Sequence, residues 1–148
     1  MELSNKNVSA LLLDLNQDIE EYAEATVKKI IEDKNFDFLT YPPNNGLTDL
    51  EKQELNKLDN NKHLKNALRK VIADNSAGII FSMLNIIDGT TDPKHLFADW
   101  TGVKLVDQEP NDEAEEFQDM LHDSFFETYW EWKKIRGDKK WKLDTYEE

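Results

Sequence analysis

Apolar residues recur every three or four positions at the start of the chain. Val8, Leu11, Leu12, Leu15, Ile19, Tyr22, Ala23, Thr26 and Ile30 fall on one stripe, with Asp14, Asp18 and Glu21 opposite. That period belongs to an amphipathic helix, predicted over 8–34, with Ser4 and Asn7 placed to cap its start. The pattern breaks at 36–46, where Pro42 and Pro43 forbid helix and Asn44, Asn45 and Gly46 read as a turn. Phe36, Phe38, Leu39 and Tyr41 are expected to pin this loop. Thr48 and Glu51 have the spacing of a capping box, which predicts a short helix to Asp59 with Leu50, Leu55 and Leu58 turned inward.

A third helix is predicted over 62–88. Its first half is amphipathic through Leu64, Leu68, Val71 and Ile72, whereas 79–87 is apolar all round except for Ser82 and Asn85. A helix of that kind is buried on most sides, so it is expected at the centre of the fold, with Ser76 and Ser82 buried. Ala67, Gly78 and Ser82 lie along one edge of its stripe, where small side chains admit a close neighbour. Asn75 on the stripe is expected to need hydrogen-bond partners, and Asn85 to brace the Asp88-Gly89 turn. Gly89 stops the helix. Asp92 and Pro93 read as the cap and first position of a short helix through Phe97 or Asp99.

The last long helix is predicted from Asn111 or Asp112 to Arg136, with Gly137 as its stop. Its acidic start and basic last turn agree with the helix dipole. Ala114, Phe117, Leu121, Ser124, Thr128, Trp132 and Ile135 make its core stripe. Segments 102–107 and 140–146 alternate weakly and could pair as a two-stranded ribbon. Together these elements predict an all-α fold: one single-domain helical bundle of four to five helices spanning 1–148.

Charge sharpens this picture. The 148 residues carry a net charge of −13 and no Cys. That length suffices for one self-supporting core. The absence of Cys excludes disulfides and thiolate metal sites. The negative charge argues against nucleic acid and against anionic membranes as partners, and favours rapid capture of a basic protein. Residues 1–7 lack the basic start and apolar core of a signal peptide. No uninterrupted apolar run reaches the ~18 residues of a membrane span. The expected location is therefore the cytoplasm.

Between Leu105 and Trp132 lie ten acidic residues and no Lys or Arg, and the same stretch ends in Phe125, Phe126, Tyr129, Trp130 and Trp132. Phe126 and Trp130, four apart, sit nearly opposite the core stripe of the last helix and share their side with Asp119, Asp123 and Glu127. Either the C-terminal tail, with Trp141 and Tyr146, folds back over these rings, or they form an anchor ringed by carboxylates. The second arrangement has the composition of an interface. The candidate partner-binding residues are thus Glu116, Asp119, Asp123, Phe126, Glu127 and Trp130.

Other chemistry finds less support. Asp88, Asp92, His95 and Asp99 match no calcium loop. Glu116, Asp119, His122 and Asp123 carry an i, i+3 Asp–His pair, but it points away from the core stripe. Glu20, Glu21 and Glu24 lie mostly on polar sides of the first helix. His63 and His95 read as surface residues. The serines occupy no nucleophile elbow, and no Gly-rich phosphate loop is present. No cofactor is implied.

In size, acidity and aromatic content the chain resembles small bacterial immunity proteins, a likeness of class and not of motif. The expectation is an acidic cytosolic protein-binding module of inhibitor or immunity type, masking a basic partner such as a nuclease toxin. The alternatives are a metal-dependent hydrolase using helix-borne carboxylates, and a homodimer burying Phe126 and Trp130.

Overall fold

Among the described residues four α-helices form in chain order: α1 (Asn5–Val27), α2 (Asp49–Asn56), α3 (Lys62–Ile87) and α4 (Leu121–Ile135). A π-helical turn, Lys28–Glu32, continues α1. The computed structural model describes residues 3–43, 46–95 and 99–137, and among them there is no strand. The fold is an all-α helical bundle. Segment 102–107 forms no strand, and its expected partner 140–146 lies outside the described residues, as does the C-terminal tail, one of the two alternatives for covering Phe126 and Trp130. The helix expected after Pro93 does not form among the described residues either. The chain divides into two compact units, Met1–Ile19 with Asn75–Lys140 and Glu20–Asp74 with Trp141–Glu148.

In the first unit the core is built by Val8, Leu12 and Ile19 of α1, Leu84 of α3, and Leu121, Phe125 and Trp132 of α4. Asn16 sits within this core. Its side-chain amide donates to the carbonyls of Leu12 (2.9 Å) and Phe125 (3.2 Å), which ties α1 to α4. A hydrogen-bonded amide is tolerable there, whereas an orphaned one would cost about 1–3 kcal/mol.

The chain enters α1 through an anchored segment. Ser4 caps the helix and makes an isolated antiparallel bridge with Glu116. The Asn5 N–H donates to the Glu115 carbonyl (2.9 Å) and the Phe117 N–H to the Leu3 carbonyl (2.8 Å). This pairing corrects the predicted start of the last helix. Residues 115–117 spend their backbone groups on residues 3–5, and α4 begins only at Leu121. Glu116 and Asp119 therefore precede the helix instead of lying on it. The buried stripe of α4 is Leu121, Phe125, Thr128 and Trp132, while Ile135, expected in the core, is exposed.

The end of α3 follows the sequence signal. Gly89 adopts φ +72, its N–H donates to the Ile86 carbonyl (3.2 Å), and the Thr90 N–H donates to the Asn85 carbonyl (3.0 Å). These two bonds make a Schellman motif. Asn85 braces the turn by donating to the Phe81 carbonyl and accepting from the Thr90 hydroxyl.

In the second unit the buried positions are Glu20, Ala23 and Val27 of α1, Ile31 of the π turn, Phe36, and Ala73 of α3. Glu20 is 1% exposed, which corrects its expected place on a polar side. The π turn packs against α2 and closes with the Asp33 N–H donating to the Lys28 carbonyl. Lys34 then takes φ +49, a left-handed stop unusual for a residue with a Cβ. Its ammonium group donates to the Leu58 (2.6 Å) and Leu55 (3.4 Å) carbonyls at the end of α2. The capping box at the other end of α2 is complete: Glu51 N–H donates to the Thr48 hydroxyl, and Thr48 N–H to the Glu51 carboxylate. Leu50 and Tyr41, both expected to face inward, are exposed.

The largest departure concerns α3. Among the described residues only Ala73 and Leu84 of this helix are buried, and Ile79 is 65% and Met83 49% exposed. Asn75 and Ser82 are also exposed, and Ser76 is half-buried. By length and composition α3 is apolar enough to cross a membrane, a property that counting uninterrupted runs missed. Burial follows contact with a partner element, and α1 carries the longest buried stripe.

Candidate functional site

Helix α4 places the predicted binding residues in two groups. Asp123, Phe126, Glu127 and Trp130 lie on the helix, all solvent-facing, with Phe126 53% and Trp130 60% exposed. The helical repeat dictates this arrangement. Leu121, Phe125, Thr128 and Trp132 turn inward, which turns the residues at 123, 126, 127 and 130 outward. The Phe126 ring leans on Phe81 of α3 (centroids 5.2 Å) and on Phe125 (5.3 Å). Trp130 packs edge-on with Tyr129 (5.4 Å), and the Lys133 ammonium lies 5.6 Å from its ring centroid. The rings are thus held from below, and no contact from above is made by the described residues. The acidic field on this face is not pure, since a cation follows directly after the run without Lys or Arg.

Glu116 and Asp119 belong elsewhere. With Asp88, Lys104, Leu105 and Leu121 they line a cavity of about 140 Å³. A second cavity of about 170 Å³ is lined by Asn5, Val8 and Leu12 of α1 and by Ser124, Glu127 and Glu131 of α4. Glu127 is therefore shared between the aromatic face and this cleft.

Two contacts escaped the sequence reading because their members are far apart in the chain. Met120, the N-cap of α4, makes no side-chain cap bond. Asp88 supplies the cap instead: its carboxylate accepts the N–H of Leu121 (3.1 Å) and of His122 (2.9 Å), 33 and 34 residues away. A carboxylate at a helix N-terminus satisfies orphan donors and complements the dipole. The His122 ring donates to the same carboxylate through Nδ1 (2.6 Å), and a carboxylate that only accepts places the ring proton on Nδ1. The other nitrogen, Nε2, stands 3.6 Å from Asp123 Oδ1, and the ring meets Phe81 edge-on at 5.4 Å. An Asp–His pair can orient a general base, but here the open nitrogen faces a carboxylate. The arrangement acts as a clasp on α4.

The second hidden contact involves Asp107, a buried member of the acidic run. Its carboxylate accepts the Ser4 N–H at 3.3 Å. Hydrogen bonds from the Ser4 side chain, then the Asn7 side chain, with help from the Ser4 backbone, outweigh burial and hold its carboxyl below the ordinary aspartate range. Asp107 anchors α1 and is unavailable as a binding acid.

Among the described residues no three His, Asp or Glu side chains come together to hold a metal ion. The two clusters considered from sequence are taken apart: Asp88 and His122 cross-pair, Glu116 and Asp119 precede α4, and Asp92, His95 and Asp99 are exposed. No protein-family model, no characterised protein and no solved structure matches the chain.

Proposed function

We propose that the chain is an acidic cytosolic protein-binding module of inhibitor or immunity type, which masks a basic protein partner such as a nuclease toxin. The observation that carries this reading is the pair of large rings, Phe126 and Trp130, left in solvent on α4 beside the exposed carboxylates of Asp123 and Glu127. Aromatic anchors inside a charged rim are the usual composition of a binding hot spot. The carboxylates would stand where a nucleic-acid substrate places phosphates and pair with Lys or Arg of the partner. Glu116 and Asp119 contribute to the negative field that steers the encounter.

The test is a pull-down from source lysate with wild type and a Phe126→Ala/Trp130→Ala double variant across a salt series. A Lys- and Arg-rich protein should be retained by wild type, lost in the folded double variant and released as salt rises. Retention that ignores both the rings and the salt would sink the reading.

A further inference from the structure

The clasp on α4 employs only one of the two ring nitrogens of His122. Nδ1 donates to Asp88, so Nε2 carries a lone pair. That lone pair faces Asp123 Oδ1 at 3.6 Å. The separation exceeds the roughly 2.7–3.2 Å of an N–H···O hydrogen bond. Two electron-pair donors, one nitrogen and one oxygen, are therefore directed toward each other.

The surroundings fix the ring and leave the carboxylate open. The Asp88 side chain is 7% exposed, and its two oxygens also accept the N–H groups of Leu121 and His122, so it cannot turn away. Phe81 meets the imidazole edge-on at 5.4 Å. The His122 side chain is 13% exposed and that of Asp123 is 74% exposed. A rigid imidazole thus stands beside a carboxylate that solvent reaches. A histidine that ligates a metal commonly gives its other N–H to a carboxylate in this way, which fixes the tautomer and raises the basicity of the ligating nitrogen.

We infer that His122 Nε2 and Asp123 Oδ1 together hold one divalent ion of the zinc class, with Asp88 as the residue that positions the imidazole. The spacing agrees with that chemistry. Zinc binds imidazole nitrogen at about 2.0–2.1 Å and carboxylate oxygen at about 2.0–2.2 Å, so two such ligands at the tetrahedral angle stand about 3.4 Å apart. An octahedral ion with bonds of about 2.1 Å brings neighbouring ligands to about 3.0 Å. The observed 3.6 Å lies nearer the tetrahedral value. The ligand types point the same way, because imidazole suits zinc, copper and nickel, whereas magnesium and calcium prefer oxygen alone.

Charge supports a cation here. The positive end of α4 opposes it, and Asp88, seated on that end, offsets the opposition. The net charge of −13 raises the local concentration of cations. Among the described residues no third His, Asp or Glu joins the pair, so water completes the coordination and the ion exchanges readily. This inference goes beyond the proposed function and does not rest on it.

The test is titration calorimetry of the full chain, stripped with a chelator and then titrated with Zn²⁺ alone. One ion should bind per chain. His122→Gln and Asp123→Asn should each weaken binding at least ten-fold. Asp123 is exposed, so Asp123→Asn keeps the test open should His122→Gln fail to fold by circular dichroism. Asp88→Asn should weaken binding about ten-fold, the low end for a residue that orients a ligand, because an amide oxygen still accepts the ring N–H. His95→Gln, at an exposed histidine outside the clasp, should change nothing. In nitrogen-15 spectra the His122 Nε2 resonance should move when Zn²⁺ is added, a signature that a purely structural clasp does not give.

Absence of Zn²⁺ binding overturns the inference. So does binding that survives both His122→Gln and Asp123→Asn, or Mg²⁺ that competes equally, which would mean a diffuse carboxylate surface. A His122 Nε2 that is already protonated and does not respond to Zn²⁺ would assign the contact to an imidazolium–Asp123 ion pair and also overturn it. None of these outcomes bears on the partner pull-down, which reads the rings of Phe126 and Trp130.

Discussion

Helices α1 and α3 are the two longest in the molecule, and they invert the expectation that the more apolar helix lies deeper. The stretch 79–87 of α3 holds seven apolar residues in nine, yet Ile79 and Met83 face solvent. Helix α1 alternates acids with aliphatics, yet it buries Asn16 and Glu20 together with Val8, Leu12, Ile19, Ala23 and Val27. Hydrophobicity sets the free energy gained once a residue is covered, but it does not supply the covering element. Helix α1 has a partner for its stripe, in α4 through the Asn16 amide and in the anchored segment 115–117. Helix α3 meets α4 on its Phe81 side, and its opposite side has no covering element among the described residues. What remains exposed is a surface available to other molecules.

The contrast can be broken by truncation. Phe125→Ala should cost about 3–5 kcal/mol and Leu12→Ala about 2–5 kcal/mol, the ranges for emptying a buried core site. Ile79→Ala should stay within about 0.5 kcal/mol, as exposed substitutions do. Urea unfolding of the three variants measures both. Equal losses would mean that Ile79 is covered and that the comparison fails.

The ends of the helices give the next effect. Asp88→Ala removes the acceptor for two backbone N–H groups and the His122 ring at the start of α4, and should cost about 1–2 kcal/mol. Asp88→Asn should recover part of that loss, because an amide oxygen still accepts one bond but carries no charge to complement the dipole. Thermal melts of the pair distinguish charge from hydrogen bonding.

Polar residues sharpen the comparison further. Asn16→Leu should cost about 1 kcal/mol, because the buried hydrogen bond that ties α1 to the Phe125 carbonyl of α4 is lost. Asn75→Leu, on the exposed face of α3, should stay within about 0.5 kcal/mol. Chemical denaturation of both reads the difference.

The smallest effect is one of pH. Asp107 has its carboxyl held below the ordinary aspartate range by Ser4 and Asn7, so its contribution to stability is present above that range. It is lost as pH falls through the lowered folded value. Urea midpoints should therefore decline on acidification below the ordinary carboxylate range, and Asp107→Asn should flatten that decline. Amide exchange at Asn7 and Val8 should quicken in the same window. A variant with an unchanged acid slope would show that the contact carries no linkage.

Local signals in this chain were legible without coordinates. The capping box of Thr48 and Glu51, the Gly89 stop, the break at Pro42 and Pro43, and the extent of α3 all depend on residues within one or two turns of each other. So does the outward turn of Phe126 and Trp130, which follows from the helical repeat once α4 exists. Misreadings arose wherever a distant partner decided the outcome. Residues 112–120 look helical by composition, but the backbone of 115–117 pairs with 3–5. Asp88 and His122 fall in two separate clusters along the sequence, and their bond spans 34 residues of chain.

Sequence alone was therefore sufficient for the class of this protein: all-α, acidic, with an aromatic and carboxylate-bearing last helix. Periodicity, caps and net charge are properties of neighbouring residues and of sums, and both can be read along a line. Tertiary structure decided which helix is covered, which acids are anchors and which face solvent. Burial and capping depend on what stands across a gap, and the same apolar side chain lies in the core or in solvent according to whether another element reaches it.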